Sequence, residues 1–206
     1  MQRSNISRAT LGRIPAYLRF LNSLPAEVRD ISATSIARGL GFGEVQVRKD
    51  LGSVCGFGRP KVGYQKEELI QSLEGLLIKN GGRAVIVGAG KLGRALLDYK
   101  GFSDYGLTVL AAFDKNAGLQ ERTGTDKPIL PVQALPEFSK CNDIKLGIIA
   151  VPGEAAQEAY DLLYQSGVRA MMCFAQCHLN TQPDAVIQYE NVALSLAFLN
   201  LRTGEV

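Results

Sequence analysis

The hexapeptide Gly88-Ala89-Gly90-Lys91-Leu92-Gly93 narrows what this chain can fold into more than any other segment. Before it stands Ala84-Val85-Ile86-Val87, a short, continuously apolar run that suits a strand buried in a parallel sheet. After it comes a helical pattern from Leu92 to Tyr99. Between a strand and a helix, the first glycine of such a motif permits a tight turn and the second lets the backbone approach a pyrophosphate. The third lets helix and strand pack closely. The helix N-terminus adds free amides and a partial positive charge. Gly88, Ala89, Gly90, Lys91, Leu92 and Gly93 are therefore predicted to cradle a dinucleotide.

Asp114 closes the next predicted strand, Leu107 to Phe113, and is placed to accept hydrogen bonds from ribose hydroxyls. It lies 26 residues after Gly88. The usual spacing is about 20, an excess that the Gly101–Gly106 connection absorbs. A carboxylate there repels a 2′-phosphate and favours NAD over NADP, while the adjacent Lys115 works against that preference. Ala150-Val151-Pro152-Gly153 and Cys173-Phe174-Ala175-Gln176 end later strands on the same edge of the sheet. Ala150, Val151, Pro152 and Phe174 are thus candidates to border the nicotinamide, although either segment taken alone also reads as ordinary strand-end packing.

The remaining pattern extends this unit. A short strand near Ile129, a helix near Gln133 to Lys140 and a strand from Ile144 to Val151 follow. Next come a helix from Glu154 to Ser166, a strand from Ala170 to Phe174 and a last strand at Val186 to Tyr189. Alternating strands and helices predict a Rossmann-type, doubly wound parallel sheet. Asn191 to Arg202 reads as a terminal helix whose apolar residues nearly encircle it, which predicts burial, with a second subunit as a candidate cover.

Upstream of the sheet the chain changes character. Residues 1–66 hold 11 Lys and Arg against 4 Asp and Glu, a balance of +7, while residues 67–206 hold 12 against 16 and carry −4 of the net +3. That asymmetry is the footprint of a polyanion binder, with a solvated basic face as the plainer alternative. Leu11, Ile14, Leu18, Leu21 and Leu24 predict a helix from Arg8 to Leu24, with Pro15 starting or kinking it. Ser32 caps a predicted helix Ala33 to Leu40, and Gly41-Phe42-Gly43 separates it from a third, Glu44 to Val54. In that third helix Val45, Val47 and Leu51 are expected inward and Gln46, Arg48 and Lys49 at the outer surface, with Asp50 or another acidic neighbour as an alternative partner for one of the two cations. Helix, glycine-containing turn and helix outline a helix-turn-helix. Residues 56–64 suit a two-stranded wing with Arg59 and Lys61 at its tip, and Lys66 to Lys79 suits a linker helix. The predicted architecture is α/β: a winged helix-turn-helix over residues 1–80, a nucleotide domain over 81–190 and a C-terminal dimerisation helix over 191–206. Gln46, Arg48, Lys49, Arg59 and Lys61 are expected to meet double-stranded DNA.

Other chemistries find little support. One histidine, His178, and no nucleophile–base pattern argue against catalysis. Cys55, Cys141, Cys173 and Cys177 lack zinc or haem spacing, and they read as reduced thiols. No apolar run has membrane-spanning length, and the N-terminal segment lacks the apolar core of a secretory leader. A cytoplasmic protein is expected, with no metal and no membrane partner.

Taken together, Gln46-Val47-Arg48-Lys49-Asp50-Leu51, Val62-Gly63-Tyr64 and Gly88-Ala89-Gly90-Lys91-Leu92-Gly93-Arg94-Ala95-Leu96 resemble the Rex family of bacterial redox-sensing repressors. Ala112-Phe113-Asp114, Val151-Pro152-Gly153-Glu154-Ala155-Ala156-Gln157 and Cys173-Phe174-Ala175 extend the match over nearly the whole chain. The resemblance implies a homodimer on palindromic operator DNA, which NADH releases and for which NAD⁺ competes with NADH. It implies a domain-swapped C-terminal helix. It also implies a switch in which an acidic residue of the C-terminal segment exchanges between an arginine and a tyrosine, here Arg19 and Tyr99. The acidic position is Ala193 in this chain. Two other readings stand beside this one: a Rex-like DNA-binding protein with a weakened or lost redox response, and a small NAD-dependent oxidoreductase whose N-terminal helices only dimerise.

Overall fold

The computed structural model describes residues 6–60, 62–78, 82–116 and 126–203. They form two compact units, Met1–Asn80 and Gly81–Val206.

The first unit is built of four helices and one small antiparallel pair. Helix α1 spans Arg8–Ser23. Its N-cap is Ser7, whose Oγ accepts from the Thr10 amide at 3.1 Å. The helix runs through Pro15 without ending, and it buries Ile14, Tyr17, Leu18 and Leu21. Leu11, expected on the same stripe, is 44% exposed. At that level the buried face of α1 is taken instead by Thr10, hydrogen-bonded to Asp50. Helix α2 (Ala33–Leu40) starts at the Ser32 cap, and α3 (Glu44–Cys55) follows the turn at Gly41–Gly43. Val47 and Leu51 are fully buried, but Val45 is 69% exposed, contrary to the inward placement predicted for it. Two residues advance a helix by about 200°, so Val45 and Val47 cannot share a face. Asp50, polar by residue type, is buried with Val47 and Leu51.

Helix α4 (Lys66–Ile78) does more than link. Leu69 and Leu73 are buried in the same core as α1 to α3, so α4 belongs to the first unit. Strands β1 (Asp30–Ile31) and β2 (Tyr64–Gln65) pair Ile31 with Tyr64. The wing is shorter than its sequence predicts. One bridge joins Arg59 to Gly63, with the Arg59 amide donating to the Gly63 carbonyl at 2.7 Å. Pro60 sits inside the turn that this bridge closes, and beyond the bridge Tyr64 and Gln65 pair with β1. Phe57, within the predicted wing, lies in no strand and is 84% exposed.

The second unit holds a six-stranded parallel sheet. Its strands are β3 (Gly82–Val87), β4 (Leu107–Asp114), β5 (Ile129–Pro131), β6 (Leu146–Ile149), β7 (Ala170–Cys173) and β8 (Val186–Tyr189). The spatial order β5-β4-β3-β6-β7-β8 is the 3-2-1-4-5-6 order of dinucleotide-binding sheets. Val85 and Val87 enter one hydrophobic cluster with Phe113, Tyr160 and Leu163, while Ala84 and Ile86 enter the other with Leu97 and Val109. Burial on both faces explains the unbroken apolar run of β3. Helices α5 (Lys91–Asp98), α6 (Leu135–Asn142) and α7 (Gly153–Gln165) make the crossovers. Helix α8 (Val192–Thr203) is not buried within its own chain. Val192, Leu194, Leu196, Phe198, Leu199 and Leu201 are 56–74% exposed, so apolar side chains stand open on every side of the helix.

Candidate nucleotide site and nucleic-acid interface

The turn from β3 into α5 lies where the order of connection reverses, between β3 and its neighbours β4 and β6. Ligands of open parallel sheets bind at such a switch point, outside the carboxyl ends of the strands. Gly88 has φ +102°, and a Cβ there would come within 2.6 Å of the Ala150 carbonyl oxygen. At Gly93 a Cβ would lie 1.8 Å from the Gly88 carbonyl oxygen, so glycine alone lets α5 close on the loop. Gly90 differs from both. It is the N-cap of α5, no side chain caps it, and nothing lies within 4 Å of its would-be Cβ. Uncapped amides of the first turn therefore face open space at the positive end of a helix, which fits a pyrophosphate. Lys91 and Leu92 are exposed on that turn, while Ala89 is buried.

Asp114 reaches the loop directly. Its Oδ2 accepts from the Ala89 amide at 2.7 Å and its Oδ1 from the Asn116 amide at 2.8 Å. The carboxylate thus fixes the glycine loop while keeping lone pairs for further donors, a role the sequence did not reveal. The register that pairs Val87 with Phe113 carries this information, because it sets Asp114 beside Gly88. Lys115, next in the chain, does not project freely: its Nζ meets Glu158 Oε2 of α7 at 2.6 Å.

Beside the loop lies a pocket of about 180 Å³, which of the glycine motif only Gly88 lines. Gly88, Asp114, Lys115, Val151 and Pro152 line it, with Glu158 on its α7 side. Ala150 does not line it; its amide donates to the Val87 carbonyl at 2.9 Å, which ties the end of β6 to β3 beside the glycine loop. Phe174 does not line this pocket. It packs with Ala150 against the cluster on the other face of the sheet.

The first unit presents the basic residues. Lys49 and Arg59 are exposed, and Lys61 lies outside the described residues. Arg48 is exposed too, and its guanidinium pairs with Glu44 one turn earlier at 2.5 Å. Arg48 and Arg59 line one notch with Phe57 and Pro60; Lys49 lines a second with Ser53 and Arg13. Adjacent residues of α3 therefore serve different sides. Gln46 is only half-exposed, and in the amide orientation that satisfies its neighbours its oxygen accepts from Arg13 Nε at 3.0 Å and Nη1 at 3.1 Å.

Behind this surface, Asp50 fastens α3 to α1. Its carboxylate accepts from Arg13 Nε (2.6 Å) and Nη2 (2.9 Å), Tyr17 Oη (2.7 Å) and Thr10 Oγ1 (2.9 Å). Burial alone would push this carboxyl up, but the hydrogen bonds from Arg13, Tyr17 and Thr10 outweigh it and hold the group below its ordinary value. The signal in the sequence is an acidic residue on the 47–51 stripe, matched by Thr10, Arg13 and Tyr17 at helical spacing on α1.

Of the residues expected to switch, Arg19 lies in the first unit, and Tyr99 and Ala193 lie in the second. All three are exposed, and the Tyr99 ring meets Phe102 edge-on at 5.2 Å. The four cysteines are free. Burial pushes Cys55 up to about 11 and raises Cys173 as well, so both stay neutral thiols. Among the described residues there is no metal-binding cluster, and no helix is long and apolar enough to cross a membrane.

Comparison with known proteins finds matches to each unit and to the whole chain. Residues 5–52 match the family model "Putative DNA-binding protein N-terminus", and residues 79–177 match the model "CoA binding domain". The redox-sensing transcriptional repressor Rex of Desulforamulus reducens is 34% identical over 201 residues, covering 97% of this chain and 96% of the relative. Rex of Brevibacillus brevis is 34% identical over 196 residues, covering 94% and 95%. The crystal structure of RSP in complex with β-NAD⁺ and operator DNA superposes with a TM-score of 0.86 at 30% identity, covering 97% of this chain and 93% of that one. RSP in complex with β-NADH gives 0.87 at 29% identity, covering 97% and 95%. These relatives are named as repressors and not as enzymes. A likeness of this extent, over a glycine loop at the switch point and a basic helix-turn-helix, places the chain in the Rex family of redox-sensing transcriptional repressors.

Proposed function

We propose that the chain represses transcription by binding operator DNA and that NADH, competing with NAD⁺, releases it. The observation that carries this reading is the union, in one chain, of an uncapped glycine-loop helix terminus and a basic helix-turn-helix. RSP, a Rex-family repressor of the same fold, is known in complex with β-NAD⁺ and operator DNA and with β-NADH. Residues 1–80 form the DNA-binding domain, 81–190 the nucleotide domain and 191–206 the dimerisation helix. Gly88, Ala89, Gly90, Lys91, Leu92 and Gly93 hold the pyrophosphate, and Asp114 holds ribose hydroxyls while it steadies the loop. Ala150, Val151, Pro152 and Phe174 border the rest of the ligand. The nicotinamide cofactor supplies the redox signal through its two oxidation states, and the relatives are named repressors, not enzymes. Arg48, Lys49, Arg59 and Lys61 neutralise phosphates or reach base edges, with Gln46 positioned by Arg13. Exposed helix α8 makes a homodimer by exchange between subunits, so the operator is palindromic. The protein works in the cytoplasm, where NADH is its ligand.

The test uses a duplex selected by the full-length protein from a random-sequence pool. Its affinity is measured by fluorescence anisotropy alone, with NADH and with NAD⁺. Weaker binding with NADH is expected, and binding that NADH leaves unchanged would refute redox sensing.

A further inference from the structure

We infer that Glu158 is a specificity-determining residue of the nucleotide site. By holding the Lys115 ammonium in an ion pair at the pocket mouth, it withholds from a 2′-phosphate the cation best placed to bind it. The inference rests on the proposal that this crevice takes a nicotinamide dinucleotide.

Three observations lead here. The first is position. Lys115 directly follows Asp114, whose carboxylate is the group that discriminates between a ribose hydroxyl and a 2′-phosphate. A free lysine there would offset that discrimination, since an ammonium beside the ribose is a ready phosphate partner. The second is the stripe that faces the pocket from α7. It consists of Ala155, Glu158, Ala159 and Leu162, at the spacing of one helical face. Glu158 is the one charged member of a stripe otherwise built to be apolar. The third is the pair itself. Lys115 Nζ and Glu158 Oε2 lie 2.6 Å apart, joining the end of β4 to α7 across 43 residues of chain. Both side chains are more than half exposed. Exposed pairs contribute little to folding, so stability is a weak account of a charge on that stripe.

The charge balance at the pocket mouth points the same way. Among the described lining residues, Asp114 and Glu158 carry two negative charges and Lys115 carries one positive. A 2′-phosphate, which brings about two further negative charges, meets a net negative rim whose lysine is already engaged. A 2′-hydroxyl meets no such penalty. Glu158 thereby protects the discrimination that Asp114 begins.

The experiment is calorimetric titration of the full-length protein with NADH and with NADPH, for wild type, Glu158→Gln, Lys115→Ala and the double variant. In Glu158→Gln, NADPH affinity should rise about tenfold, about threefold from releasing Lys115 from an exposed pair and about threefold from removing a charge that repels the phosphate. NADH affinity should stay within about twofold, since a ribose hydroxyl gains nothing from the freed charge. In the Lys115→Ala background the same change should raise NADPH affinity by about threefold or less, because only one repelling charge is then removed. An unchanged NADPH-to-NADH ratio in Glu158→Gln would overturn the assignment. So would an equal gain with and without Lys115, which would leave simple charge removal and no tether. A wild type that binds neither nucleotide would instead defeat the nucleotide reading itself, and this inference with it.

Discussion

Replacing Asp50 with alanine should loosen the whole DNA-binding unit, although Asp50 faces its core. The carboxylate takes hydrogen bonds from Thr10, Arg13 and Tyr17, and its side chain is only 6% exposed. Deleting one member of a buried ion pair typically costs about 3–5 kcal/mol, because the partner charge stays behind. The Arg13 side chain is 23% exposed and also donates to Gln46, so it keeps part of its solvation and one acceptor. The fully buried Tyr17 hydroxyl has no such relief, and an orphaned buried donor costs about 1–3 kcal/mol. These costs overlap, and a total of about 3–4 kcal/mol is expected. With a urea slope of about 2 kcal/mol per molar, the midpoint should fall by about 1.5–2 M. The assay is urea unfolding of the full chain, with amide hydrogen exchange locating the loss in α1 and α3. The molecule holds its own control. Arg169 and Tyr164 converge on Asp184 much as Arg13 and Tyr17 converge on Asp50, but in the open, with Asp184 Oδ2 at 2.9 Å from Arg169 Nε. Asp184→Ala should leave the midpoint unmoved. Equal effects of the two substitutions, or a loss below about 1 kcal/mol for Asp50→Ala, would refute the claim that burial makes this network hold the helices together.

The remaining predictions are briefer. Because the folded protein holds Asp50 below the ordinary carboxyl value, its contribution is fully present above about pH 4 and is lost as pH falls through the lower folded value. Acid titration of wild type against Asp50→Asn should show that limb in the wild type alone. Gly90→Val should abolish NADH binding in calorimetry and leave the melting temperature nearly unchanged, since its Cβ meets nothing within 4 Å. Gly88→Ala should lower the melting temperature instead, because its Cβ would strike Ala150. Leu199→Asp on α8 should turn the dimer into monomer in sedimentation equilibrium.

The nucleotide domain was legible because its signals are local. The glycines mark a turn, β-branched runs mark buried strands, and Asp114 follows its strand at the expected end. Partnership across the sheet and between helices was not legible. Asp114 reads as a ribose acceptor, yet whether it also binds the loop depends on strand register. Lys115 reads as a free cation until α7 delivers Glu158 from 43 residues away. Asp50 reads as polar by residue type, and only its partners on α1 make its burial tolerable. Helix α8 reads as buried from its composition, and within the chain that prediction fails, because composition does not say which surface covers a helix. Polar residues with distant partners are thus what the sequence hides.

The position that should carry the nucleotide signal to the DNA is Ala193, the second residue of α8. An alanine side chain can neither accept a hydrogen bond nor pair with the Arg19 guanidinium or the Tyr99 hydroxyl, so the charged exchange implied by the family resemblance cannot form. A ligand moves a two-state equilibrium only through its differential affinity for the two states. Losing one contact reduces that difference, while nucleotide-driven closure can still supply the rest. NADH should therefore bind and release the operator incompletely. Ala193→Asp should restore coupling, since a hydrogen bond to a charged group is worth about 1.5–3 kcal/mol, or roughly tenfold and more in affinity. The site accepts the change. A carboxylate in the first turn of α8 is favoured by the helix dipole, and the cap from Asn191 Oδ1 to the Leu194 amide at 2.8 Å is untouched. Coupling is reciprocal, so the factor by which NADH weakens operator binding must equal the factor by which operator weakens NADH binding. Measuring both arms for wild type and Ala193→Asp separates altered coupling from altered NADH affinity. A wild-type factor already large, and not raised by the substitution, would show that Ala193 does not limit the signal.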